Sequence, residues 1–103
     1  PPELVVFADI CVDPAAHTVT RKGEPLGLTP YERELLLFLI ERKGRAVQRT
    51  TLADRVVHGS PDAAVRGVDA HVSKLRRKLG TQAAAHIRTV RGIGYRFDLE
   101  PSS

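Results

Sequence analysis

The sequence predicts an α+β domain with an N-terminal antiparallel sheet, three helices and a C-terminal β-hairpin. Short β-prone runs separated by close turns fill residues 4–28. Apolar residues at helical spacing, with start and stop signals, fill 29–80. Two further β-prone runs flank a Gly-x-Gly turn within 86–99. At 103 residues the chain fits one domain able to bury its own core.

In the first segment Leu4 to Phe7 is apolar and β-prone, and Ile10 and Val12 alternate with polar neighbours up to an Asp13-Pro14 turn. His17 to Thr20 resumes β character, Lys22 to Pro25 reads as a second turn, and Leu26 to Leu28 as a short strand. Cys11 reads as a small apolar strand residue of the buried kind. As the only cysteine it forms no intrachain disulfide, which fits a reducing compartment.

The first helix opens at Thr29-Pro30-Tyr31-Glu32, a capping box with proline at the first helical position. Leu35, Leu36, Phe38, Leu39 and Ile40 supply its apolar face, and Gly44 stops it. An extended Ala46-Val47 leads to a second helix over about Thr50 to Val57, anchored by Leu52, Ala53 and Val56. Gly59-Ser60-Pro61-Asp62 then breaks the pattern. The third helix is expected over about 65–79, with Val68, Val72, Leu75 and Leu79 as its buried stripe and Gly80 as its stop. Arg66, Ala70, Ser73 and Arg77 fall opposite that stripe, with Lys74 beside them. Residues 81–85 read as a loop, and Ile87 to Leu99 as a hairpin with Arg91 at its tip.

Charge is unevenly placed. The net formal charge is +4, yet residues 65–97 hold eight bases (Arg66, Lys74, Arg76, Arg77, Lys78, Arg88, Arg91, Arg96) and one acid, Asp69. A localised cationic surface of this kind attracts a polyanion, although a basic run by itself is more readily a solvated helix face. The order of elements favours the first reading: three helices, the third basic, and then a hairpin is the layout of a winged helix-turn-helix. In that layout the third helix enters the DNA major groove and the hairpin, the wing, lies along the backbone or minor groove. Lys74 and Arg77 suit guanine acceptors or phosphates, Ser73 suits either, and the Ala70 methyl suits a thymine methyl. Arg91 suits the narrow minor groove. Arg49, Arg66, His71, Thr89 and Tyr95 are candidate phosphate donors.

Four ordered stretches carry a closer resemblance: Leu28-Thr29-Pro30-Tyr31-Glu32 with Leu35-Leu36, Arg66-Gly67-Val68-Asp69-Ala70-His71-Val72, Lys74-Leu75-Arg76-Arg77-Lys78-Leu79, and Thr89-Val90-Arg91-Gly92-Ile93-Gly94-Tyr95. Together they resemble the signature of the C-terminal effector domain of OmpR/PhoB-type two-component response regulators. The resemblance implies a four-stranded N-terminal sheet, three helices and a wing. It implies phosphate contacts from Arg49, Arg66, His71, Arg76, Thr89 and Tyr95, base-edge contacts from Ser73 and Lys74, and minor-groove contact from Arg91. It further implies two domains head to tail on direct repeats, a cognate sensor histidine kinase acting through a separate receiver domain, and contact with RNA polymerase by the loop at His58, Gly59, Ser60, Pro61 and Asp62. Where relatives often carry Trp-Gly at the end of the second helix, this chain has Val57-His58 with Gly59 one place later. Gln48 replaces the usual N-cap serine, and Ser73 a longer or charged residue.

The chain contains no methionine and is expected to be a piece of a longer protein, with residues 1–3 as linker remnant. Catalysis is not expected: the four histidines lack zinc-ligand spacing and no phosphate loop or nucleophile motif is present. Gly92-Ile93-Gly94 opens no helix and is a hairpin turn rather than a dinucleotide fingerprint. No cofactor is expected, and a bacterial cytoplasmic setting is. Arg76 is also a candidate ion-pair partner for Asp69, seven residues away, and His71 for simple cover of the helix flank. A DNA-binding domain joined to a membrane anchor, and a winged helix serving as a protein-interaction module, remain the alternatives.

Overall fold

The computed structural model describes residues 3–56 and 61–100; the side chains of Val56 and of residues 61–66 lie outside that description. The chain opens with a four-stranded antiparallel meander: β1 (Val5–Phe7), β2 (Ile10–Asp13), β3 (Thr18–Arg21) and β4 (Glu24–Pro25). Phe7, Ile10, Val12 and Val19 point inward, as strict alternation requires. Cys11 lies on the alternate side of β2 from Ile10 and Val12 and is half-buried, so it is not the fully buried strand residue the sequence suggested. The expected strand at Leu26–Leu28 is displaced to Glu24–Pro25. Lys22 and Gly23 both have positive φ (50° and 83°), the signature of a two-residue hairpin turn, so pairing resumes at once with Arg21 opposite Glu24.

Helix α1 (Pro30–Glu41) starts as expected. The Thr29 hydroxyl accepts from the Glu32 amide, the Glu32 carboxylate accepts from the Thr29 amide, and Pro30 opens the helix. Strand β5 (Val47–Gln48) runs directly into α2 (Arg49–Val56). Helix α3 (Pro61–Leu79) is longer than expected, beginning at Pro61 rather than near Val65. Pro61 and Asp62, assigned by sequence to a breaking loop, are therefore helical. Proline at a first helical position lacks only an amide hydrogen that has no partner there anyway, so here it starts a helix instead of ending one. Residues 81–85 are likewise not a plain loop, since α4 (Thr81–Ala84) turns once and buries Ala83. Gly80, at φ +88°, makes the sharp corner that separates it from α3.

The chain ends in β6 (Ile87–Val90) and β7 (Gly94–Phe97), paired antiparallel. The hairpin is not free-standing. Strand β5 adds to β7 and makes a three-stranded sheet of order β5-β7-β6. One core joins both sheets and the helices: Phe97 is wholly buried and meets Phe7 edge-on at 4.9 Å between ring centroids, and Leu35, Leu36, Leu39, Leu52, Val68, Val72, Leu75 and Leu79 pack around them. His86 closes the base of the hairpin, its Nδ1–H donating to the Asp98 carbonyl at 2.8 Å. No helix among the described residues is long and apolar enough to cross a membrane.

Candidate nucleic-acid interface

Helix α3 divides into four sectors, and helical geometry alone predicts which residue belongs to each, at about 100° per residue. Val68, Val72, Leu75 and Leu79 form the buried stripe. Roughly a quarter-turn to one side lie Asp69 and Arg76, both of which reach the hairpin region. Arg76 Nη2 donates to the Ile87 carbonyl at 2.7 Å and to Thr89 Oγ1 at 3.0 Å. Asp69 Oδ1 accepts from the Tyr95 hydroxyl at 2.5 Å and from Arg49 Nε at 2.9 Å. On the opposite flank lie His71 and Lys78, both turned to the start of α1. The His71 ring sits 5.4 Å from that of Tyr31, and Lys78 Nζ donates to Glu32 at 2.6 Å. The arc that remains carries Ala70, Ser73, Lys74 and Arg77, all exposed.

The cationic residues of this segment fall into two groups. Lys78 is paired with Glu32, Arg76 is bonded into β6, and Arg88 and Arg96, opposite each other across the hairpin, both lean on Asp98 at 3.8 and 3.0 Å. These four hold the fold together. Lys74, Arg77 and Arg91 have no hydrogen-bond or ion-pair partner among the described residues, and all three are exposed. Within the described residues of α3 and the hairpin, the positive charge left without an internal partner therefore lies on the open arc of α3 and at the hairpin tip. The Arg66 side chain lies outside the described residues, as do His58, Gly59 and Ser60 and the side chains of Pro61 and Asp62.

Several expected contacts have internal engagements. Tyr95 is 5% exposed and its hydroxyl proton is committed to Asp69, so it braces the hairpin rather than lying open at the surface. Arg76 likewise stitches α3 to β6, and it forms no ion pair with Asp69: its Nη2 is turned to Ile87 and Thr89, while Asp69 Oδ1 takes Arg49 and Tyr95. Arg49 is half-buried at the first position of α2, while Thr89 is exposed on β6. The guanidinium groups of Arg49 and Arg76 lie 5.3 and 5.4 Å from the Tyr95 ring centroid. The hydrogen bonds from Tyr95 and Arg49 lower the Asp69 pKa below the usual carboxylate value against the effect of partial burial, while burial and the adjacent carboxylate push the Tyr95 phenol up.

Two residues that organise the site were not singled out for it by sequence. Asp69 joins three elements, and its signal was its position as the lone acid of a basic run. Glu32, read as a capping residue, is 1% exposed and also receives Lys78, which ties the C-terminal half of α3 to the N-terminus of α1. Burial pushes the Glu32 pKa up, but the bonds from Lys78 and from Thr29 together outweigh it and hold the carboxyl below its ordinary value. From the sheet, the Arg21 guanidinium donates to the Lys78 and Leu79 carbonyls and so caps the last turn of α3. The glycines of the hairpin have different jobs. Gly92 takes the left-handed turn conformation at φ +80°, whereas a Cβ on Gly94 would lie 2.0 Å from the Val47 carbonyl oxygen.

A helical core closed by an antiparallel hairpin, with a helix clamped on both flanks and open on one polar, basic arc, defines a winged helix-turn-helix domain. The chain belongs to the family described as "Transcriptional regulatory protein, C terminal", whose pattern matches residues 23–97; this is the OmpR/PhoB-type effector domain of response regulators. Among curated proteins it is 42% identical over 97 residues to the response regulator protein PmrA of Pseudomonas aeruginosa, covering 94% of this chain and 42% of that protein. It is 40% identical over 88 residues to the phosphate regulon transcriptional regulatory protein PhoB of the same organism, covering 85% and 38%. The chain thus spans about two-fifths of the length of the curated relatives it matches. Among solved structures it is similar to the response regulator AdeR DNA-binding domain in complex with an intercistronic region (35% identity, TM-score 0.74, 91% of this chain and 97% of that one). It is also similar to the Klebsiella pneumoniae RstA DNA-binding domain in complex with the RstA box (29% identity, TM-score 0.78, 95% and 99%).

Proposed function

We propose that this domain binds double-stranded DNA sequence-specifically, with α3 in the major groove and Arg91 in the minor groove, as the effector part of a phosphorylation-regulated bacterial transcription factor. The observation that carries the reading is the coincidence of exposure, free charge and rigidity. Ala70, Ser73, Lys74 and Arg77 share one open arc of a helix fixed from both sides, beside a hairpin bonded to that same helix. A side chain that reads a base edge must be held while its tip stays unpaired, and Lys74 and Arg77 meet that condition. Ser73 and Ala70 would complete the base contacts. Arg49, Arg66, His71 and Thr89 would meet phosphates and set the register. Arg76 and Tyr95, placed at phosphates by the resemblance, would act chiefly through the hairpin they brace.

In the whole protein, a receiver domain phosphorylated by a sensor histidine kinase would promote head-to-tail pairing on direct repeats, in the cytoplasm. The segment at His58, Gly59, Ser60, Pro61 and Asp62 would be offered to RNA polymerase. The likeness to two domains solved with DNA supports the duplex as ligand, and no catalytic role is proposed. Selection of bound duplexes from a random pool, followed by anisotropy titration across salt concentrations, tests the reading. A selected site should be bound with an affinity that falls steeply with salt, at about 0.9 counterion per neutralised phosphate. Failure to enrich any site, or binding indifferent to salt, would overturn it.

A further inference from the structure

Asp69 is the one acid among the eight bases of residues 65–97, and its side chain is 53% exposed beside the arc assigned to DNA. Taken as a charge alone it opposes the approach of a polyanion. Its geometry gives it another role. Oδ1 holds Arg49 Nε at 2.9 Å and the Tyr95 hydroxyl, so a single oxygen ties α3 to the first residue of α2 and to β7. Arg49 is fixed at its backbone as well, its amide donating to the Ile93 carbonyl in the hairpin turn at 3.3 Å. Because Asp69 engages Nε, the terminal Nη1 and Nη2 groups of Arg49 carry no partner among the described residues. A guanidinium held through Nε by a carboxylate, 5.3 Å from the Tyr95 ring centroid, keeps its terminal N–H donors as a planar fork of the kind that suits a phosphate.

We infer that Asp69 is a positioning residue for DNA binding: it pre-orients Arg49 toward a backbone phosphate and, through Tyr95, fixes the hairpin against α3. The inference rests on the DNA-binding reading above. It has a counter-intuitive consequence, since removing a negative charge from the interface should weaken binding to a negative ligand.

The test uses anisotropy titrations of a selected duplex at several salt concentrations, with thermal unfolding in parallel, on wild type, Asp69→Ala, Asp69→Asn, Arg49→Ala, Arg49→Lys and the Asp69→Ala/Arg49→Ala pair. Asp69→Ala should bind about tenfold more weakly despite its added positive charge, with a salt slope shallower by about 0.9, the value of one phosphate contact. The double variant should lose little more than Arg49→Ala, because the two residues act as one unit. Asp69→Asn keeps an acceptor oxygen and should recover most of the affinity. Arg49→Lys keeps the charge and perturbs the core least, and it should still lose several-fold because lysine lacks the second set of donors. Tighter or equal binding by Asp69→Ala, a lowered Tm with an unchanged salt slope, or wild-type affinity in Arg49→Lys would each overturn the inference while leaving DNA binding intact. Absence of salt-dependent binding by the wild type would instead overturn the DNA reading, and this inference with it.

Discussion

Single side chains at the candidate interface divide by what holds them. Lys74 has no internal partner among the described residues, whereas Arg49 is half-buried and anchored to Asp69. Lys74→Ala is expected to relax base preference at one position of the site, at a cost of about 1–3 kcal/mol there. Arg49→Ala should weaken binding to all sequences alike. Profiles of both variants on a binding-site library check this, and identical profiles would contradict the division of roles. Arg91→Ala should cost most where A·T-rich flanks narrow the minor groove, and equal losses on G·C-rich flanks would count against its placement there. The hairpin glycines give a stability test at the same scale. Gly92→Ala strains a left-handed turn and should cost about 1 kcal/mol in denaturant unfolding. Gly94→Ala forces a Cβ into the Val47 carbonyl and should cost more, about 2–3 kcal/mol. Sequence showed that a turn was needed here. It did not show that the second glycine serves strand packing, because β5 contributes only two residues and has no periodic signal of its own.

At the scale of elements, the recognition surface depends on contacts that grip α3 from both sides. The Glu32–Lys78 bond on the α1 side and the Asp69–Tyr95 and Arg76–Thr89 bonds on the hairpin side fix the rotation of the helix about its own axis. Both Glu32 and Asp69 have pKa values held below their ordinary ones. A carboxyl with a lowered folded-state pKa contributes stability above its unfolded value, and that contribution is lost as pH falls through the folded value. The domain should therefore lose Tm progressively below about pH 4, where unfolded carboxylates take up protons. Glu32→Gln should lower Tm at neutral pH by roughly 5 °C and flatten the acid decline, as read by circular dichroism melts from pH 7 to pH 3. An unchanged acid limb would show that Glu32 does not contribute. Tyr95 is shifted the other way, and its bond to Asp69 should persist up to its ordinary titration range near pH 10 and be lost above the raised value. The buried stripe of α3 and the capping box of α1 were legible because each is written in local spacing. The partners of Lys78 and Arg76 were not, since they join residues 46 and 11 to 13 positions apart, and no local pattern encodes a tertiary bond.

Over the whole molecule, the two sheets and the helical core share one interior that includes Phe97, so hairpin and α3 are packed into the same core. The fold was legible in outline from alternation, capping and turn chemistry. The early start of α3 at Pro61 and the single turn of α4 were missed because proline and a short Ala-rich stretch carry opposite meanings in different contexts. The site was legible as a charge excess but not as a sorted one: sequence counts the bases of residues 65–97, and only packing shows that Lys78, Arg76, Arg88 and Arg96 serve the fold while Lys74, Arg77 and Arg91 remain outward. That sorting leads directly to a measurement in which net charge is held equal and only its location changes. The salt dependence of duplex affinity is compared for Lys74→Ala/Arg91→Ala and for Lys22→Ala/Lys43→Ala, the latter two residues being exposed and outside α3 and the hairpin. The first pair should show a shallower slope and a large loss of affinity, and the second should behave as wild type. Equal slopes in the two double variants would mean that the DNA does not lie on the open arc of α3 and the hairpin tip.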